Sequence, residues 1–251
     1  MPAEQSSPRA RAQLAALADQ SSRSSYPLKW AADLPTAPDS RAAAVLILFG
    51  MLDSLPSDHD AQARAVSRDL DVLLLARAST LRSHAGQVAF PGGRVDPGDD
   101  GPVAAALREA REETGLDPAG VEVLGPLDDI PLAFSQHTVT PVLAWWQHPS
   151  PVRVVDEAES ADVFRAPVAD LLDPAHRGVT VIRRDGQEWR GPGFVVPRLD
   201  EASVQGDHLV WGFTGMLLDG LFDRLGWTEP WDETRELPLV LPEDDAPDLT
   251  A

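Results

Sequence analysis

The sequence predicts an α/β fold in which a mixed β-sheet packs between helices. Three observations carry this. Short apolar runs of strand length outnumber segments with helical periodicity. The helical segments are interspersed among the strands rather than collected at one end. The chain of 251 residues, 43% hydrophobic, is long enough for a core of ordinary size.

In chain order, residues 1–40 are rich in Ser, Ala and Pro and read as an N-terminal extension, partly flexible, with a short helix near Arg9 to Asp19. The runs AAVLILF (43–49) and LDVLLLA (70–76) read as buried strands. A glycine turn follows, then a helix over 102–114. VEVLGPL (121–127) and TVTPVLAWW (138–146) read as further strands. VFRAPVADLLDP (163–174) reads as a short strand and then a helix stopped by Pro174. Two β-like runs within 179–196 flank Asp185-Gly186, a hairpin turn signal. LVWGFTGMLLDGLFDRL (209–225) has helical periodicity. The globular domain is expected over 41–228. Residues 229–251, rich in Pro and acids, read as a loosely ordered tail.

Lys and Arg number 21 against 40 Asp and Glu, a net charge of −19. That balance argues against a general nucleic-acid binder and against an anionic membrane surface. With no cysteine, disulfides, thiolate metal sites and a Cys nucleophile are excluded. The N-terminus MPAEQSSPRARAQL lacks the apolar core of a signal peptide. The most apolar run, Ala42 to Leu52, falls short of the roughly 20 residues that span a bilayer. The expected location is cytoplasmic. The charge also poses a question, since an anionic substrate would need local basic residues or a metal.

Residues 102–114 address it. At roughly 100° per residue, Val103, Ala106, Leu107, Ala110 and Thr114 form one core-facing stripe. Glu109, Glu112 and Glu113 gather on the other side. Like charges at these spacings destabilise an isolated helix. Either Arg108, four residues before Glu112 and so placed to pair with it, and Arg111 relieve a solvated face, or the carboxylates hold a hard divalent cation, Mg2+ or Mn2+. Upstream, Pro91-Gly92-Gly93 can bring bare backbone close to a metal or phosphate, because glycine has no Cβ. Asp99 and Asp100 are placed to cap the helix and Gly115 to stop it. Arg77, Arg82 and His84 put basic groups near the glycine turn, to meet substrate phosphates or simply solvent and the acidic helix.

The helix resembles the second half of a Nudix box, complete as Arg108, Glu109, Ala110, Arg111, Glu112, Glu113, Thr114, Gly115 and Leu116. In the first half Gly93 stands one residue further upstream than usual, and Asp100, with Asp99 beside it, replaces the spacer glutamate. LLLARASTLRSHAGQVAFPGG (73–93) resembles the signature of the coenzyme A pyrophosphatase branch through Leu73, Leu74, Arg77, Ala78, Arg82, Gly86, Phe90, Pro91, Gly92 and Gly93. Leu75 stands where that signature has threonine, and the inserted residue in the box is typical of the branch. The resemblance covers roughly residues 40–226. It also takes in Trp211-Gly212-Phe213-Thr214, like the start of the family's last helix.

The resemblance implies an α/β/α sandwich around a mixed sheet. It implies hydrolysis of the diphosphate of coenzyme A or its thioesters to 4′-phosphopantetheine and adenosine 3′,5′-bisphosphate. Glu109, Glu112 and Glu113 would hold Mg2+ or Mn2+, with the Gly93 carbonyl as an extra ligand and Arg108 orienting the acids. Glu159, from an acidic stretch ahead of Val163-Phe164-Arg165-Ala166-Pro167, is the chosen late ligand or base, though one of the helix glutamates is an alternative base. The expected partner is a small nucleotide substrate. A homodimer is compatible with this reading; nucleic acid and membrane are not. Competing readings are a Nudix hydrolase of a nucleoside triphosphate, NADH, ADP-ribose or a nucleotide sugar, and a non-catalytic Nudix-fold binding module.

Overall fold

A computed structural model describes residues 3–25, 27–32, 34–35, 39–51, 56–80, 86–132, 135–184, 186–197 and 207–239. Its elements are α1 (Ala3–Arg23), β1 (Arg41–Met51), β2 (Leu70–Arg77), β3 (Val88–Ala89), β4 (Gly92–Arg94) and α2 (Gly101–Thr114). There follow β5 (Val121–Pro126), β6 (Ile130–Leu132), β7 (His137–Trp146), β8 (Ser160–Pro167) and α3 (Val168–Leu172). The chain continues through β9 (Arg177–Arg184), β10 (Gln187–Val196), β11 (His208–Val210) and α4 (Gly212–Leu225).

The main sheet has the order β3-β2-β1-β7-β5, with β4 beside β1, β6 beside β7 and β8 beside β2. The β1–β7 pair is parallel, from Arg41↔His137 to Phe49↔Trp145, and the other pairings are antiparallel. The sheet is therefore mixed, and it lies between two helical layers. Alternation along a strand sends successive side chains to opposite faces. Ala44, Leu46 and Leu48 of β1 pack with Ala105, Ala106 and Ala110 of α2. Ile47 and Phe49 belong to the cluster that holds Leu14 and Leu17 of α1 and Leu218, Leu221 and Phe222 of α4. A strand covered on both faces reads as a continuous apolar run, which is why AAVLILF shows no alternation.

Three expectations are refined. The short helix expected near Arg9 to Asp19 runs from Ala3 to Arg23, and its Ala10, Leu14, Leu17 and Ala18 are buried. Of the helical stretch at 209–225, the first residues form β11, because Leu209 and Val210 pair with Val195 and Phe194 of β10; the helix starts at Gly212. Residues 229–239, read as loosely ordered, are threaded into the fold. Glu229, only 2% exposed, accepts from the amide of Gln62 at 2.9 Å and from its Nε2 at 3.0 Å. The backbone of Arg235 and Leu237 pairs with Val179 of β9. Beside it, Arg177 is buried between the rings of Phe194 and Trp231 and bonds Asp219. Asp185, the first residue of the hairpin signal, lies outside the described residues. No helix among the described residues is long and apolar enough to cross a membrane.

Candidate active site

The site forms where β4 runs alongside β1 and meets α2. Gly92, Gly93 and Arg94 pair with Val45, Ala44 and Ala43. A Cβ on Gly92 would lie 2.3 Å from the Ala44 carbonyl oxygen, and one on Gly93 would lie 2.4 Å from Oε1 of Glu109 and have to push that carboxylate aside. α2 then begins with Pro102 in its first turn and ends at Gly115, whose left-handed φ of 71° lets its amide return to the Arg111 carbonyl. The expected cap is different in kind. Asp100 holds the N-cap position but its side chain makes no capping bond. Asp99 instead accepts from the Asp96 amide at 2.8 Å and from Nε and Nη2 of Arg108, each at 3.0 Å.

Arg108 is the hub. Its Nη1 donates to Glu109 at 2.9 Å and to Glu112 at 3.1 Å, and its Nη2 also donates to the Arg94 carbonyl at 3.0 Å. One planar fork thus ties β4, the loop before the helix and the acidic face together. The bond to Arg108 holds the Asp99 carboxyl below the usual carboxylate range, and these acids in turn raise the guanidinium pKa. The i, i+4 pairing of Arg108 with Glu112 is the one expected from the sequence. The link to Asp99 has no signal in the sequence, because nothing local says that the loop folds back onto the helix.

The three glutamates divide. Glu113 turns inward, and its Oε2 accepts from the Gly92 amide at 2.9 Å. Burial pushes its pKa up to about 7; the Gly92 bond opposes this, the charges of Glu109 and Glu159 add to it, and Arg77 opposes it. Glu109 is also raised by burial, against the pull of Arg108. Glu112 turns outward, 58% exposed, to Arg108. Arg77 ends β2 opposite Ser160 of β8, and its Nε is buried with no hydrogen-bond partner. Glu159 precedes Ser160, and its carbonyl accepts from the Ala78 amide at 2.9 Å. The structure thus gathers Gly93, Arg77, Glu109, Glu113 and Glu159, and holds Glu112 to one side. Arg82 and His84 lie outside the described residues.

Among the described residues no three His, Asp or Glu side chains stand at metal-binding spacing. The donors that do meet are nonetheless of the right kind. Carboxylate and carbonyl oxygens suit hard divalent cations. Two desolvated, mutually repelling carboxylates are in the condition that a cation relieves. Glu112 would join them by exchanging its bond to Arg108. The residues present therefore fit Mg2+ or Mn2+.

The family model of the NUDIX domain matches residues 59–188. The chain is 37% identical over 155 residues to a Photorhabdus laumondii protein named uncharacterized Nudix hydrolase NudL, covering 61% of this chain and 76% of that one. To the protein of the same name from Escherichia coli K12 it is 37% identical over 155 residues, covering 62% and 75%. Among solved structures, a MutT/nudix family protein from Enterococcus faecalis aligns over 77% of this chain and 65% of its own, with 17% identity and a TM-score of 0.43.

Proposed function

The chain belongs to the Nudix family, and on that premise we propose that it cleaves the diphosphate of coenzyme A or its thioesters in a reaction dependent on Mg2+ or Mn2+. The products would be 4′-phosphopantetheine and adenosine 3′,5′-bisphosphate. The observation that carries the chemistry is the meeting of Glu109 and Glu113 with the Gly92–Gly93 backbone. The choice of substrate rests on the resemblance over residues 73–93.

In this reading Glu109, Glu113 and Glu112, the last once freed from Arg108, would hold the ion, with the Gly93 carbonyl as a further ligand. Such an ion, when bound, supplies charge neutralisation on the diphosphate oxygens and acidifies water. The chain's own residues do the rest. Arg77, with its Nε unbonded, donates to the diphosphate. Arg82 and His84, seven or fewer residues further on, are assigned to substrate phosphates as well. Arg108 keeps the acids in place through Asp99 and the Arg94 carbonyl. Glu159, whose side chain no described residue bonds, takes the proton from the attacking water.

The test is chromatographic product analysis after incubation with Mg2+ or Mn2+. The panel is coenzyme A, acetyl-coenzyme A, NADH, ADP-ribose and dGTP. Adenosine 3′,5′-bisphosphate appearing from coenzyme A ahead of any other turnover is the expected result. Faster turnover of another member would replace the substrate while keeping the acidic site. No turnover of any would point to a binding module.

A further inference from the structure

On the face of the sheet turned away from α2, β1, β4 and β7 enclose an open cleft of about 220 Å³ whose lining includes Ala43, Val45, Gly92, Arg94, His137 and Val139. Strand pairing sets its chemistry. Arg94 pairs with Ala43, and Arg41 pairs with His137 one step before Ala43 meets Val139. Two residues apart along a strand, and directly opposite across a pair, side chains share a face. Arg41, Arg94 and His137 therefore stand on one face around the small side chain of Ala43.

Three basic groups thus share one face of an acidic chain. Arg11, Arg68, Arg108, Arg183 and Arg190 each meet a carboxylate. Among the described residues no side chain bonds those of Arg41, Arg94 or His137. Arginines left without acids in a chain of net charge −19 are available to an anion from outside, and the imidazole beside them can add a hydrogen bond.

The cleft also adjoins the acidic site. Gly92 and Gly93 line it, while the Gly92 amide bonds Glu113 and Gly93 packs against Glu109. A strand advances about 3.3 Å per residue, so Arg94 follows immediately on the wall the two sites share. A ligand with its diphosphate at Glu109 and Glu113 would extend its nucleoside along the cleft, between the apolar walls of Val45 and Val139.

We propose that this cleft is a subsite for a phosphomonoester on the substrate's nucleoside, held by Arg94 and His137 with Arg41 beside them. The assignment builds on the function proposed above and gives it a way to distinguish a nucleoside with an extra phosphate from one without. An arginine fork suits a phosphate dianion, and the imidazole adds a second donor.

The test is calorimetric binding of adenosine 3′,5′-bisphosphate and of adenosine 5′-monophosphate to the full chain, wild type and variants. The wild type should prefer the bisphosphate. Arg94→Ala and His137→Ala should each reduce that preference by about tenfold, the scale of one charged hydrogen bond. Arg94→Lys, which keeps the charge, should retain part of it. Equal affinities in the wild type, or a preference that survives both alanine variants, would overturn the subsite. Binding is measured apart from turnover. If the preference holds and coenzyme A is not cleaved, the subsite stands and the proposed reaction falls.

Discussion

Glu109 occupies the space that a side chain on Gly93 would need: a Cβ there would lie 2.4 Å from its Oε1 and 2.5 Å from its carboxyl carbon. Gly93→Ala must therefore displace the carboxylate or the strand. Overpacking of this kind costs about 1–3 kcal/mol. A displacement of about 1 Å can cost roughly 100-fold in rate. Turnover should fall far more steeply than the melting temperature. A variant that keeps wild-type turnover would show that Glu109 is not needed where it stands.

Arg108 serves four acceptors on three segments, which a lysine cannot reproduce with a point charge. Arg108→Lys should lower turnover about 10–100-fold, the usual loss when a group that orients metal ligands is removed. If charge alone mattered, lysine would restore activity to near the wild-type level; steady-state kinetics on the two proteins decides.

Glu112 is 58% exposed, and its described bond is to Arg108. Glu112→Gln should leave thermal stability within about 0.5 kcal/mol of the wild type, as for most surface changes. Its turnover should nevertheless fall by roughly 100-fold. Destabilisation with activity retained would make this glutamate structural.

Arg11 of α1 donates to Glu122 of β5 from Nε at 2.8 Å and also from Nη2. This bond holds the Glu122 carboxyl below the usual carboxylate range. A depressed folded pKa means that the unfolded chain takes the proton more readily. The pair's contribution is thus complete above the unfolded value of about 4.3 and is lost as pH falls through the folded pKa. With side chains 41% and 32% exposed, the pair is worth about 0.2–1 kcal/mol. Glu122→Gln should melt about 1–3 °C lower at pH 7, and the gap should close as the pH falls through the folded pKa of Glu122. A gap independent of pH would indicate lost packing instead.

The part of the site written on α2 is legible in the sequence. Periodicity places Ala106, Ala110 and Thr114 in the core, Gly115 marks the end, and i, i+4 spacing pairs Arg108 with Glu112. β4 is not legible, because Gly-Gly-Arg has no apolar pattern and becomes a strand only through pairing with β1. The outward turn of Glu112 depends on competition between partners that spacing cannot rank. The docked segment after Glu229 escapes a sequence reading for a similar reason. One buried leucine, Leu237, among prolines and acids gives no periodic signal. Arg177, wholly buried, contradicts the ordinary rule for charged residues and is intelligible only once Asp219, Phe194 and Trp231 surround it.

The pairing of that segment with Val179 has a consequence for proteolysis. An extended peptide is commonly captured by hydrogen bonding along its backbone. The Arg235 carbonyl already accepts from the Val179 amide at 2.8 Å, and the Leu237 amide already donates to the Val179 carbonyl at 2.9 Å. Trypsin approaching the Arg235–Glu236 bond therefore finds both flanking backbone groups engaged. Although the arginine itself reaches the surface, the native protein should resist cutting there until this short pairing opens.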